Sequence, residues 1–190
     1  MIERMHLETP RLLLREFHAD DLDAVHAFAA DPEVIRFTDW GPNTVDDTAA
    51  FLAEATHDAG ARPRTRFALA VLDRAAQVLI GSVELSVTSA AHRQGSTGYV
   101  LARPWWGQGR ATEAATAMLR LGFDRLDLHK ISATCDPGNI ASGRVLTKIG
   151  MRREGHLHDH LYVRGRWRDR LLFAAITDAG GVSSRSGTGG

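Results

Sequence analysis

Pro104-Trp-Trp-Gly-Gln-Gly-Arg-Ala-Thr-Glu-Ala114 is the stretch on which the fold turns. It follows a strand-like run ending at Leu101. It leads into a helical pattern with Ala114, Met118, Leu119 and Leu121 suited to burial. Small residues at such a junction let backbone N–H groups turn toward one point, and the helix N-terminus adds partial positive charge. Together they suit a pyrophosphate, with Arg110 able to supplement the site. A tight strand-to-helix turn with no ligand fits the same residues. A nucleotide-hydrolase loop would need Gly-Lys-Ser/Thr, and no lysine is present here. A Rossmann loop would need a small residue where Thr112 stands and an acidic residue closing the next strand, which here ends Ala133-Thr-Cys135.

Working outward, Arg11–Phe17 reads as a first strand. A helix capped within His18–Asp21 carries Leu22, Val25, His26 and Phe28 and ends at Asp31-Pro32. Thr44 and Asp47 form a capping arrangement for a second helix running to about Asp58. Strands follow at about 66–72 and 79–88, then at about Ser96–Leu101. After the loop and its helix come a strand near Lys130–Cys135 and a helix from Asn139 to Lys148, closed by a left-handed Gly150. Two strands, about 151–163 and 167–176, meet at a turn around Arg164-Gly165. This order predicts one α/β domain over residues 1–178 around a mixed sheet, with a disordered tail over 179–190.

Of 190 residues, 44% are hydrophobic and 24% charged, as in ordinary globular domains. No apolar run approaches a membrane span, no signal-peptide pattern opens the chain, and a single Cys135 fits a reducing cytoplasm. Net charge is zero, yet residues 1–60 hold 13 acidic and four basic side chains, leaving the remainder net basic. Such asymmetry suits two ligands of opposite charge, or two solvated faces.

The central stretch resembles the acetyl-CoA loop of the Gcn5-related N-acetyltransferase (GNAT) superfamily, in its RimJ/RimL-like branch of ribosomal-protein N-terminal acetyltransferases. Thr9-Pro-Arg-Leu-x-Leu-Arg15, Gly98-Tyr99, Asn139-x-x-Ser142 and Lys148-x-Gly-Met-x-x-Glu-Gly155 match in the same order, covering about residues 7–177. The resemblance implies a mostly antiparallel mixed sheet, flanked by helices, whose central strand splays from its neighbour at a bulge. It implies acetyl-CoA as co-substrate: Val100, Leu101 and Ala102 along the pantetheine, and Trp106, Gly107, Gln108, Gly109, Arg110, Ala111 and Thr112 around the pyrophosphate. Asn139 then contacts the pantetheine or acetyl end, although it also suits a helix N-cap, and Ser142 lies near the sulfur. The acceptor is an amine, either a protein N-terminus or a small cationic molecule. Neither a membrane, a nucleic acid nor a metal is expected, and a homodimer is compatible.

The chemistry needs a base to take a proton from an ammonium and a donor for the leaving thiolate. On Gly81-Ser-Val-Glu-Leu-Ser-Val87, Val83, Leu85 and Val87 share one face and Ser82, Glu84 and Ser86 the other. Glu84 is the candidate base and Ser142 the candidate thiolate donor, while Tyr99 suits a packing or substrate-wall role. His156, His158 and His160 alternate on one strand face. A metal is not expected there, because one strand rarely encloses an ion and no partner ligand is evident; His160 suits a substrate contact. Arg164, Arg166, Arg168 and Arg170 read as a solvated face. Competing readings are a non-catalytic acyl-CoA-binding module and a transferase using another acyl or aminoacyl donor.

Overall fold

The computed structural model describes residues 5–177, so the expected tail lies outside the described residues. Eight strands form one sheet: β1 (His6–Glu8), β2 (Leu12–Arg15), β3 (Arg66–Asp73), β4 (Val78–Ser89), β5 (Gln94–Leu101), β6 (Lys130–Cys135), β7 (Arg152–Val163) and β8 (Arg166–Ile176). Their spatial order is β1-β2-β3-β4-β5-β6-β8-β7. Every neighbouring pair is antiparallel except β5–β6. The helices are α1 (Leu22–Ala29), α2 (Val45–Gly60), α3 (Arg110–Arg120) and α4 (Ile140–Lys148). Among the described residues, no helix is long and apolar enough to cross a membrane.

Period-two alternation divides the core into two layers. Phe67, Leu69 and Val71 of β3 join Val83 and Leu85 of β4 against Met118 and Leu119 of α3 and Leu146 of α4. On the other face, Ala68 and Ala70 pack against Val25 and Phe28 of α1 and Leu52 and Ala55 of α2. Burying a Leu or Phe side chain in such a layer stabilises the fold by about 1.5–3 kcal/mol. Glu84 is thereby left on the α1/α2 side, as its alternation with Val83 and Leu85 requires.

Local signals account for the helix starts. Thr44 Oγ1 accepts the Asp47 N–H at 3.1 Å while Asp47 Oδ2 accepts the Thr44 N–H at 2.9 Å, a full capping box. Asn139 Oδ1 caps α4 by accepting the Ser142 N–H at 3.0 Å, and Gly150 closes it at φ +89. The strand expected over 11–17 is β2, Leu12–Arg15, and a short strand not expected from the sequence, His6–Glu8, precedes it. Thr9-Pro10 turns the chain between them, and the Thr9 N–H donates to the Leu12 carbonyl at 2.9 Å.

Candidate active site

The sheet opens at its centre. Strands β5 and β6 pair only from Gln94–Lys130 to Ser96–Ser132. Beyond that point β5 stays with β4 as far as Leu101, and β6 stays with β8 as far as Cys135. The resulting wedge forms part of an open cleft of about 1410 Å³. The splay is a stop in pairing and not the expected bulge: the β4–β5 irregularity falls at Val87/Ser89, toward the paired end.

Backbone direction along β5 follows from one bond. The Ala102 N–H donates to the Ile80 carbonyl at 2.8 Å. By antiparallel alternation Val100 and Gly98 also turn their amides to β4, while Tyr99 and Leu101 turn theirs to the wedge. Of the three residues expected along the pantetheine, Leu101 is the one whose backbone turns to the wedge, as that of Tyr99 also does, and its carbonyl accepts the Trp106 indole N–H at 2.7 Å. The side chains of Val100 and Ala102 pack on the α1/α2 layer.

The glycine loop reaches α3 through two left-handed residues, Gly107 at φ +72 and Gly109 at φ +77. Gly109 is the N-cap of α3, so the first free amides of the helix open toward the cleft. Side chains from far away hold the loop. Arg11 donates from Nη1 to the Gln108 carbonyl at 2.9 Å and pairs with Glu113 at 2.7 Å, and the Thr9 hydroxyl donates to Glu113 at 2.6 Å. These contacts keep the Glu113 carboxyl below its ordinary range despite partial burial. Arg110, expected to supplement the phosphate site, lines the cleft with its guanidinium already engaged. Its guanidinium pairs with buried Asp73 at 2.7 Å and stacks 4.6 Å from the Trp105 ring. The Ala76 backbone N–H, together with Arg110, lowers the Asp73 carboxyl.

At the wedge itself, the Tyr99 phenol lies 2.9 Å from Ser142 Oγ and 3.2 Å from the Ser142 carbonyl. Burial pushes the phenol up to about 12, so it holds its proton through neutral pH. Cys135 lies on the same wedge with its thiol raised, mainly by burial, which makes it a poor nucleophile. The Asp136 carboxylate receives both Arg168 and Arg170, the latter at 3.3 Å, and accepts the Gly138 N–H at 2.8 Å. This fixes the β6–α4 turn that carries Asn139 and leads into the first turn of α4, where Ser142 lies. Arg164 donates to backbone carbonyls of residues 35–41, including Trp40 at 2.6 Å, and latches the β7–β8 turn to that loop. Arg164, Arg168 and Arg170 are therefore structural struts, and of the expected solvated stripe Arg166 stays exposed.

Glu84 lines the cleft and its side chain is 37% exposed. One oxygen pairs with Arg66 at 2.9 Å and the other accepts the Ser86 hydroxyl at 2.9 Å. Arg66 also holds Asp58 at 3.0 Å and Glu54 at 3.1 Å, so three carboxylates gather on one guanidinium. Glu54 and Asp58 sit four apart on α2, a spacing readable in the sequence, but only the tertiary fold brings Arg66 and Glu84 to them. The expected row of three imidazoles is also altered. His156 and His158 converge on Asp169, at 2.6 and 3.2 Å. A register shift between Leu157 and Leu161 separates His160 from them.

The comparisons with known proteins agree with this geometry. The acetyltransferase (GNAT) domain profile matches residues 11–152. The chain is 34% identical over 174 residues to the uncharacterized N-acetyltransferase YnaD of Bacillus subtilis, covering 92% of this chain and 98% of that one. A GNAT-family acetyltransferase crystal structure from Bacillus anthracis superposes with a TM-score of 0.80 at 31% identity, covering 90% of this chain and 98% of that one. Mycobacterium smegmatis RimJ in complex with CoA-disulfide gives 0.79 at 26% identity, covering 92% and 87%. A pairing stop at the sheet centre, a glycine loop at a helix N-terminus and full-length similarity converge: this chain belongs to the GNAT acetyltransferase family and is an acyltransferase of the N-acetyltransferase class.

Proposed function

We propose that this chain transfers the acetyl group of acetyl-CoA directly to a cationic primary amine, such as a protein N-terminus or a small polyamine. The observation that carries the reading is the early end of β5–β6 pairing at Ser96–Ser132, which exposes a strand edge beside a helix N-terminus. An amide-bearing arm suits a free strand edge, and a pyrophosphate suits the Gly107–Thr112 amides. The CoA-disulfide bound to the mycobacterial relative supports the same ligand class. A reducing cytoplasmic setting suits the lone Cys135, whose thiol stays protonated.

Acetyl-CoA supplies a thioester: the amine nitrogen bonds to its carbonyl carbon, the C–S bond breaks, and CoA leaves as the thiol. The residues of the chain divide the proton work. Glu84 takes the proton from the ammonium, directly or through water, with Arg66 and Ser86 fixing the carboxylate orientation. Glu54 and Asp58 add negative charge that favours a cation on this side. The departing sulfur takes the second proton of the attacking nitrogen. Ser142 donates a hydrogen bond to that sulfur, and Tyr99, which keeps its own proton, donates a hydrogen bond to Ser142 Oγ. Asn139 spends its carbonyl on the helix cap, which leaves its NH₂ for the co-substrate.

Mass analysis of reactions with acetyl-CoA and a panel of basic peptides, polyamines, aminoglycosides and neutral amines tests this. Acetylation of cationic members with stoichiometric CoA release is expected. Acetylation confined to neutral amines, or no acetylated product at all, contradicts it.

A further inference from the structure

The β7–β8 hairpin carries a second cluster, apart from the wedge. Leu157 pairs with Arg170 and Leu161 with Arg168, so residues 158–160 all stand opposite Asp169. Asp159 takes φ 45, and its N–H donates to Asp169 Oδ1 at 3.0 Å. The other carboxylate oxygen, Oδ2, faces His156 Nε2 at 2.6 Å and His158 Nδ1 at 3.2 Å. The two rings stack, with centroids 4.2 Å apart and planes 25° apart. Arg170 points to Asp136 in the cleft. Asp169, one residue before it, therefore lies on the opposite face of the hairpin.

These three ligand atoms lie within 4.8 Å of one another on a partly exposed surface. Two imidazole nitrogens and one carboxylate oxygen form a donor set that suits borderline divalent ions, and open solvent leaves room for water to complete a tetrahedral shell. The Asp159 N–H orients the carboxylate from behind, as outer partners do at built metal sites. We propose that His156 Nε2, His158 Nδ1 and Asp169 Oδ2 bind one transition-metal ion of the zinc type, pinning the bulge of β7 to β8. This departs from the sequence expectation of no metal, which rested on a missing partner ligand. Asp169 of the adjacent strand is that partner.

The test is calorimetric titration of tag-free, chelator-treated protein with zinc chloride. One ion per chain is expected, with a dissociation constant of about 10 µM or tighter. His158→Gln and Asp169→Asn should each weaken uptake by about tenfold or more, with circular dichroism unchanged. His57→Gln, on α2, should bind zinc as the native chain does. Absence of saturable uptake in the native protein overturns the proposal. So does one-to-one binding that survives the His156→Gln/His158→Gln double substitution.

Discussion

Between Trp106 and Thr112 the cleft offers backbone, and the neighbouring side chains hold that backbone still: Arg11 binds the Gln108 carbonyl, and Arg110 is anchored on Asp73. Around Arg66 the arrangement is reversed. There the charged side chains of Glu84, Glu54 and Asp58 line up on one guanidinium, on a surface open to solvent. The first region depends on φ angles and amide direction, so it tolerates little change in main-chain shape. The second depends on charge and proton affinity, so its substitutions should alter rates while leaving the fold intact. The two regions therefore fail in different ways when perturbed.

The largest expected effect is in the first region. Gly109→Val places a β-branched residue at φ +77, costing about 1–2 kcal/mol in local strain. Its added Cβ has room, with only Arg11 Nη2 at 3.4 Å, so the domain should still fold. Calorimetry should find acetyl-CoA binding abolished. Binding at native strength would reduce the loop to a plain turn.

In the second region, Glu84→Gln keeps the size and the Arg66 contact but removes the proton acceptor. A loss of about 10²–10⁴-fold in kcat/KM is expected, with acetyl-CoA affinity unchanged. The loss should shrink as pH rises and the free amine becomes neutral. Coincident pH profiles for the two proteins would remove Glu84 from the mechanism.

The smallest effect belongs to the Tyr99–Ser142 contact in the wedge. Tyr99→Phe removes the phenol's contacts with the Ser142 hydroxyl and carbonyl and should lower turnover by about two- to tenfold. The substitution also has a pH signature. The folded state keeps the phenol protonated up to about 12, whereas the unfolded chain releases it near 10. Stability from this group is complete below about pH 10 and is lost as pH rises toward 12, amounting to about 2–3 kcal/mol. Denaturant titrations from pH 9 to 12 should show that alkaline slope in the native protein and a shallower one in Tyr99→Phe. Equal slopes would contradict the buried, neutral phenol.

What the sequence revealed of each region follows the same division. Local signals were readable: the Thr44/Asp47 capping box, the Asn139 cap, the glycine pair before α3 and the alternation that turns Glu84 away from Val83 and Leu85. Each involves residues within a few positions of one another. The pairing stop at Ser96 and the direction of the Leu101 amide were not readable, because register across β4, β5 and β6 sets them. Nor was the clamp of Arg11 on Glu113, which spans 102 positions. The role of Asp169 depended on a bulge in β7 that period-two reading does not anticipate. The family resemblance supplied the splay, but not which amides it frees.

Amide hydrogen exchange with and without saturating acetyl-CoA tests the central claim most directly. The wedge account predicts slowing by about tenfold or more at the Tyr99 and Leu101 amides and across residues 107–112, while the β7–β8 hairpin around Asp169 exchanges as before. Saturated binding that leaves Tyr99, Leu101 and the loop unprotected, or that protects the hairpin instead, would contradict it.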